Sequence, residues 1–133
     1  MGDTKHISVL VADDDPDILN YFQAIIKDPL YQLLLVPNGV KALEVAQKQP
    51  IHVAFLDVNM PQLTGIETLE KWLKIQPKTK IIMISSYSDG DLVKEAIDKG
   101  AYTYLFKPLN KMDIFSVFVK SLQEAGFQKV VSL

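Results

Sequence analysis

Five side chains in this sequence have the types needed to move a phosphoryl group: Asp13, Asp14, Asp57, Ser85 and Lys107. Each follows directly on an apolar run: residues 7–12 before the acid pair, 53–56 before Asp57, 81–84 before Ser85, and 104–106 before Lys107-Pro108. In an open parallel α/β sheet, ligands bind outside the carboxyl ends of the strands. Four separate segments are therefore expected to aim an acid pair, a lone carboxylate, a hydroxyl and an ammonium into one crevice. Three crowded carboxylates repel one another unless a cation stands between them. With oxygen donors and no His or Cys close by in sequence, Mg²⁺ is the expected ion, with Mn²⁺ as a substitute. Asp14 and Asp57 are expected as direct ligands, Asp13 through water, and the backbone carbonyl of Asn59 as a third protein ligand.

Asp57 lies in Leu56-Asp57-Val58-Asn59-Met60-Pro61, between a buried run and a Pro-containing loop. A carboxylate there can attack a phosphoryl group in line and form an aspartyl phosphate. Lys107 supplies a point charge to the phosphoryl oxygens and Ser85 a hydrogen bond, in a reaction governed by positioning and electrostatics. The Lys107-Pro108 bond is a candidate cis peptide, since it closes a strand into a tight turn. Taken singly these features are ordinary. Asp13-Asp14-Asp15 could be a solvated turn with an N-cap, Asp57 a turn cap, and Ser-Ser or Lys-Pro pairs occur in many loops. Their shared register is what carries the chemical reading.

The elements that must hold this register alternate. Strands are expected near 7–12, 31–36, 52–56, 80–85 and 102–106, each followed by a helical pattern, which implies βαβ units and a parallel sheet. Asp15-Pro16 reads as N-cap and first helical position. Ile18, Leu19, Phe22, Ile25 and Ile26 then form a sheet-facing stripe that Asp28-Pro29 stops. Pro37-Asn38-Gly39 opens a second helix with Ala42, Leu43 and Ala46 inward. A third follows Gly65, with Ile66, Leu69, Trp72 and Leu73 on its inner face. A fourth starts at Ser88-Asp89, carries Leu92, Val93, Ala96 and Ile97, and ends at Gly100. The fifth spans about 111–125. Met112, Phe115, Val119 and Leu122 are expected to face the sheet, with Ile114 and Phe118 widening the apolar stripe.

Composition sets the outer limits. The 133 residues are 48% hydrophobic and 23% charged, an ordinary globular balance for one domain. Residues 1–6 are expected to be an N-terminal extension, 7–125 the domain, and 126–133 a tail or the start of a linker. No run is long enough to span a membrane, and the first residues lack the apolar core of a signal peptide. The absence of cysteine excludes disulfides and thiolate metal sites and makes a reducing cytoplasm the default compartment. All 14 basic residues are lysine, scattered without a stripe, and the formal charge is −2. Arginine, the preferred reader of guanine, is missing, so no direct nucleic-acid binding by this domain is expected.

On the acid pair Asp13-Asp14, the Asp57-to-Gly65 segment Asp-x-x-Met-Pro-x-x-x-Gly, Ser85 and Lys107-Pro108, the chain resembles a response-regulator receiver domain of two-component signalling. The likeness runs from about residue 7 to 123. It implies the chemotaxis-regulator fold: a single (βα)5 doubly wound α/β domain, helices on both faces of a five-stranded parallel sheet in the flavodoxin-like order 2-1-3-4-5. It also implies that Asp57 takes phosphate from a phosphohistidine on a histidine kinase or phosphotransfer protein. Ser85 would then move toward the phosphoryl group and Tyr104 rotate inward. The face built by the fourth helix, last strand and last helix would be rearranged for a partner or output domain. Such a chain would be a regulatory phospho-acceptor rather than a turnover enzyme, either monomeric or dimerising on phosphorylation. Ile114, Phe118 and Tyr102 fall near that face, with core packing as the alternative for Ile114 and Phe118. Asn59 and Tyr87 take the family's two positions that tune acyl-phosphate hydrolysis, and a bulky Tyr87 would lengthen its lifetime.

The likeness has departures. The charged pattern that pairs winged-helix regulators through this face is not evident in residues 100–104. Ser86 replaces the usual alanine or glycine. Three rival readings are weaker. A haloacid-dehalogenase-type phosphatase needs a second Asp where Asn59 stands. A flavodoxin-type FMN binder needs a Ser/Thr/Gly-rich loop where Asp13-Asp14-Asp15 stands. A partner-binding pseudo-receiver would not need the complete site.

Overall fold

The computed structural model describes residues 6–127, without the side chain of Tyr87. The expectations for residues 1–5, for 128–133 and for the Tyr87 side chain lie outside what it describes. Five strands alternate with five helices: β1 Ile7–Ala12, α1 Pro16–Ile25, β2 Tyr31–Val36, α2 Gly39–Lys48, β3 Val53–Asp57, α3 Gly65–Ile75, β4 Lys80–Ser85, α4 Gly90–Asp98, β5 Thr103–Phe106 and α5 Lys111–Glu124. A short 3₁₀ turn over Tyr87–Asp89 precedes α4. All four strand pairings are parallel, and the sheet order is β2-β1-β3-β4-β5.

Side chains alternate across a strand, so each apolar run feeds two cores. Leu10, Ala12, Ala54, Leu56, Ile81 and Met83 face one side, against Ala42 and Ala46 of α2, Leu69 and Trp72 of α3, and Ala96 of α4. Val9, Val11, Val53, Phe55, Ile82 and Ile84 face the other, against Phe22 of α1 and Ile114, Phe118 and Leu122 of α5. Burial on both faces is why the central strands are almost unbroken apolar runs rather than alternating ones.

Helix ends follow local chemistry. Asp15 caps α1 by accepting the Asp17 N–H, with Pro16 at the first position. Thr64 and Glu67 form a reciprocal capping box on α3. Gly100 takes φ +113° just after α4, a conformation open to glycine.

The fifth helix differs from expectation. Its buried stripe is Ile114, Phe118, Ser121 and Leu122, whereas Met112 is 81% exposed and Phe115 37%. The stripe is turned by roughly a quarter of a turn. The sequence is apolar around most of this helix, so periodicity alone did not choose a face. The small Ser121 lies within the buried stripe, and its hydroxyl is satisfied by the Phe118 carbonyl at 2.7 Å.

Candidate functional site

Three strand ends build the site. β1 ends at Ala12 and delivers Asp13 and Asp14; β3 ends on Asp57; β5 ends at Phe106 and delivers Lys107. β1 pairs with β3, β3 with β4 and β4 with β5, so these ends lie along one edge of the sheet. Lys107 Nζ stands 3.4 Å from Asp13 Oδ2 and 3.6 Å from Asp57 Oδ2. Carboxylate oxygens of Asp13, Asp14 and Asp57 all lie within 4.8 Å of one another. Asp13 is fully buried, Asp57 nearly so, and Asp14 faces solvent.

This arrangement costs free energy in the absence of a further cation. Burial pushes the Asp57 carboxyl up to about 6, Asp13 adds to the effect, and Lys107 opposes it. Burial likewise raises Asp13, against the Asp15 N–H that its Oδ1 accepts and the charge of Lys107. Burial alone would pull the Lys107 ammonium down, but Asp57 and Asp13 outweigh it and hold the group protonated. Among the described residues, Asp13 Oδ2 makes no hydrogen bond, only the ion-pair contact with Lys107. A buried carboxylate oxygen without a hydrogen bond, inside a three-carboxylate cluster, fits a hard divalent cation with oxygen ligands.

The loop after β3 is fixed closely. Asn59 N–H donates to Asp57 Oδ1 at a long 3.4 Å, and Gly65 N–H donates to the Val58 carbonyl at 2.9 Å. A Cβ on Gly65 would collide with the Asp57 carbonyl oxygen, so only glycine lets α3 begin this close to the strand. Ser85 is buried at the end of β4, and its hydroxyl donates to the Ser86 carbonyl at 2.9 Å. The Lys107 N–H donates to the Ser85 carbonyl at 2.8 Å, tying the two strand ends together. The Lys107-Pro108 peptide is cis.

Of the residues singled out from sequence, Asp13, Asp14, Asp57 and Lys107 meet as a group. Ser85 reaches the same edge with its hydroxyl on its neighbour's carbonyl. Asn59 touches Asp57 through its backbone N–H, while its side chain turns to Asp89, Nδ2 to Oδ2 at 2.8 Å. Tyr104 is 40% exposed and packs on Phe106, ring centroids 4.9 Å apart. Ile114 and Phe118 are fully buried and belong to the core. The sequence marks Asp89 only as a helix start, because a contact between residues thirty apart leaves no local signature. A wider cleft, about 1010 Å³, lies at the opposite end of the strands beside His52, Lys80 and Tyr102, away from the acid cluster.

Sheet order, helix placement and the strand-end acid cluster together define a doubly wound α/β protein of the chemotaxis-regulator type. Residues 9–118 match the response regulator receiver domain, and the chain belongs to that family. It is similar to a response regulator receiver domain protein (CheY-like) from Methanospirillum hungatei JF-1, with a TM-score of 0.85, 27% identity, and coverage of 90% of this chain and 96% of that one. It is 32% identical over 106 residues to the transcriptional regulatory protein ZraR of Klebsiella oxytoca, matching 80% of this chain and 24% of that protein. It is 27% identical over 114 residues to sporulation initiation phosphotransferase F of Bacillus subtilis (strain 168), matching 86% and 92%. The chain thus spans about a quarter of the first and nearly all of the second. Among the described residues, no helix is long and apolar enough to cross a membrane.

Proposed function

We propose that this receiver domain is a phosphorylation-switched signalling module with Asp57 as acceptor. The donor is a phosphohistidine on a histidine kinase or phosphotransfer protein. The observation that carries this reading is the convergence of buried Asp57 and Asp13 on one Lys107 ammonium at the carboxyl edge of the sheet. Asp14, Asp57 and the Asn59 carbonyl would hold Mg²⁺ directly, and Asp13 through water. When bound, the ion supplies positive charge to the transferring oxygens. An Asp57 carboxylate oxygen bonds to phosphorus while the bond from phosphorus to the donor imidazole nitrogen breaks. Lys107 offsets the charge on the phosphoryl oxygens.

The Ser85 hydroxyl leaves the Ser86 carbonyl to donate to a phosphoryl oxygen, and Tyr104 turns inward from its exposed seat on Phe106. Those two motions re-shape the face of α4, β5 and α5, where Ile97, Tyr104, Met112 and Phe115 are exposed. A partner or output domain reads that change. Asn59 and Tyr87 tune the lifetime of the phosphorylated form. The domain promotes its own phosphorylation and slow dephosphorylation without turning over a substrate. The module spans residues 7–125 and works in the cytoplasm as a monomer or a phosphorylation-dependent dimer, without binding nucleic acid itself.

Incubation with acetyl phosphate and Mg²⁺, followed by intact mass, tests the assignment. Wild type should gain one phosphoryl group and Asp57→Asn none. A gain that persists in Asp57→Asn would remove Asp57 as the acceptor.

A further inference from the structure

Asp89 occupies the N-cap position of α4, yet its carboxylate accepts no N–H of that helix. An N-cap aspartate ordinarily spends its side chain there. Here one oxygen, Oδ2, instead takes the Asn59 side-chain amide at 2.8 Å and the Ser86 hydroxyl at 3.0 Å. The Ser86 hydroxyl also shares a 2.8 Å hydrogen bond with the Ser88 hydroxyl. The carboxylate therefore joins two loops: the one that leaves Asp57 and the one that leaves Ser85. Asn59 is held at both ends, its backbone N–H on Asp57 Oδ1 and its side-chain amide on Asp89. While that bond stands, the Asn59 carboxamide is engaged by Asp89 rather than by the acceptor.

We infer that Asp89 is a positioning residue that sets the lifetime of the phosphorylated form by holding the Asn59 carboxamide off the acceptor. The inference rests on Asp57 being that acceptor. Loss of the phosphoryl group is hydrolysis: a water oxygen bonds to phosphorus and the bond from phosphorus to the Asp57 oxygen breaks. The carboxylate is regenerated, and both protons of the water leave with the phosphate, released as H₂PO₄⁻. A carboxamide can both donate to a phosphoryl oxygen and accept from a water, so a freed Asn59 side chain can align the attack.

The full chain is phosphorylated with acetyl phosphate and Mg²⁺, stripped of donor, and followed by intact mass. Circular dichroism and the thermal midpoint of each variant establish that it is folded. Asp89→Ala should shorten the half-life by about threefold to tenfold, the scale of one hydrogen bond. In an Asn59→Ala background the same substitution should change nothing, because the two residues act as a pair. Asp89→Asn, whose amide oxygen still accepts, should fall close to wild type. An unchanged or longer half-life in Asp89→Ala overturns the inference. Equal shortening in both backgrounds, or Asp89→Asn decaying as fast as Asp89→Ala, overturns it as well. A wild-type chain that gains no phosphoryl group brings down the acceptor assignment and this inference with it, an outcome distinct from a labelled protein with an indifferent Asp89.

Discussion

Burial and the neighbouring Asp13 push the Asp57 carboxyl up to about 6 from an ordinary 3.8, with Lys107 pulling the other way. Between those values the folded chain holds this proton more tightly than the unfolded chain. Without a divalent ion, the Asp57 contribution to stability therefore falls as pH rises through that window. Asp57→Asn removes the buried charge and should stabilise the ion-free protein at pH 7 by about 1–2 kcal/mol. The shift to about 6 corresponds to ~3 kcal/mol with the Lys107 attraction already included, and the amide that replaces the carboxylate gives part of it back because its buried N–H groups gain no acceptor. Urea denaturation in chelator measures it, and a destabilised variant would mean that the Lys107 contact outweighs the burial. With Mg²⁺ the proton becomes a competitor, so calorimetric Mg²⁺ affinity should weaken as pH drops through about 6. The identity and strand-end placement of these side chains were legible in the sequence. The direction of the Ser85 hydroxyl was not, because a rotamer is chosen by the nearest free acceptor, here the Ser86 carbonyl.

At the scale of elements, α3 starts hard against the end of β3, and Gly65 is the contact point. Gly65→Ala must displace the helix or the Asp57 carbonyl. It should cost about 1–3 kcal/mol and weaken Mg²⁺ binding together with stability. Loss of stability with unchanged Mg²⁺ affinity would show that the loop absorbs the added methyl without moving Asp57. At the far end of the sheet, His52 Nδ1 accepts the Ser8 N–H at 2.9 Å, and burial lowers the imidazole from 6.5. A lowered histidine leaves stability intact above the unfolded value and erodes it as pH falls below 6.5, where only the unfolded chain is readily protonated. The stability difference between wild type and His52→Gln should shrink across that range; a constant difference would exclude the titration. Strand limits came out of the sequence within a residue because each apolar run is bounded by a charge or a turn residue. The α5 face did not, since Met112, Ile114, Phe115, Val117, Phe118, Val119 and Leu122 leave two plausible stripes. Only the depth of the gap over the sheet, filled by Ile114 and Phe118, selects between them.

The whole molecule presents an acidic edge at one end and an apolar flank on the side of α4, β5 and α5, with the sheet joining them. Phe118 and Phe115 lie on the same helix, three residues apart, and report on two different layers. Phe118 is fully buried, 5.2 Å from the Tyr31 ring and 6.2 Å from the Phe55 ring by centroids. Truncating it leaves a cavity between α5 and the sheet, and Phe118→Ala should cost about 3–5 kcal/mol. Phe115 is more than a third exposed, so Phe115→Ala should cost about 1 kcal/mol or less. Phosphoryl uptake from acetyl phosphate should be unchanged in Phe115→Ala, because Phe115 is not among the residues that meet in the acid cluster, Asp13, Asp14, Asp57 and Lys107. Any association that depends on phosphorylation, with a second copy or with an output domain, should weaken in the same variant. Chemical denaturation, intact mass and sedimentation of the beryllofluoride-treated protein read these three effects separately. A Phe115→Ala variant as destabilised as Phe118→Ala would place Phe115 in the core and remove it from the exposed contacts of the flank.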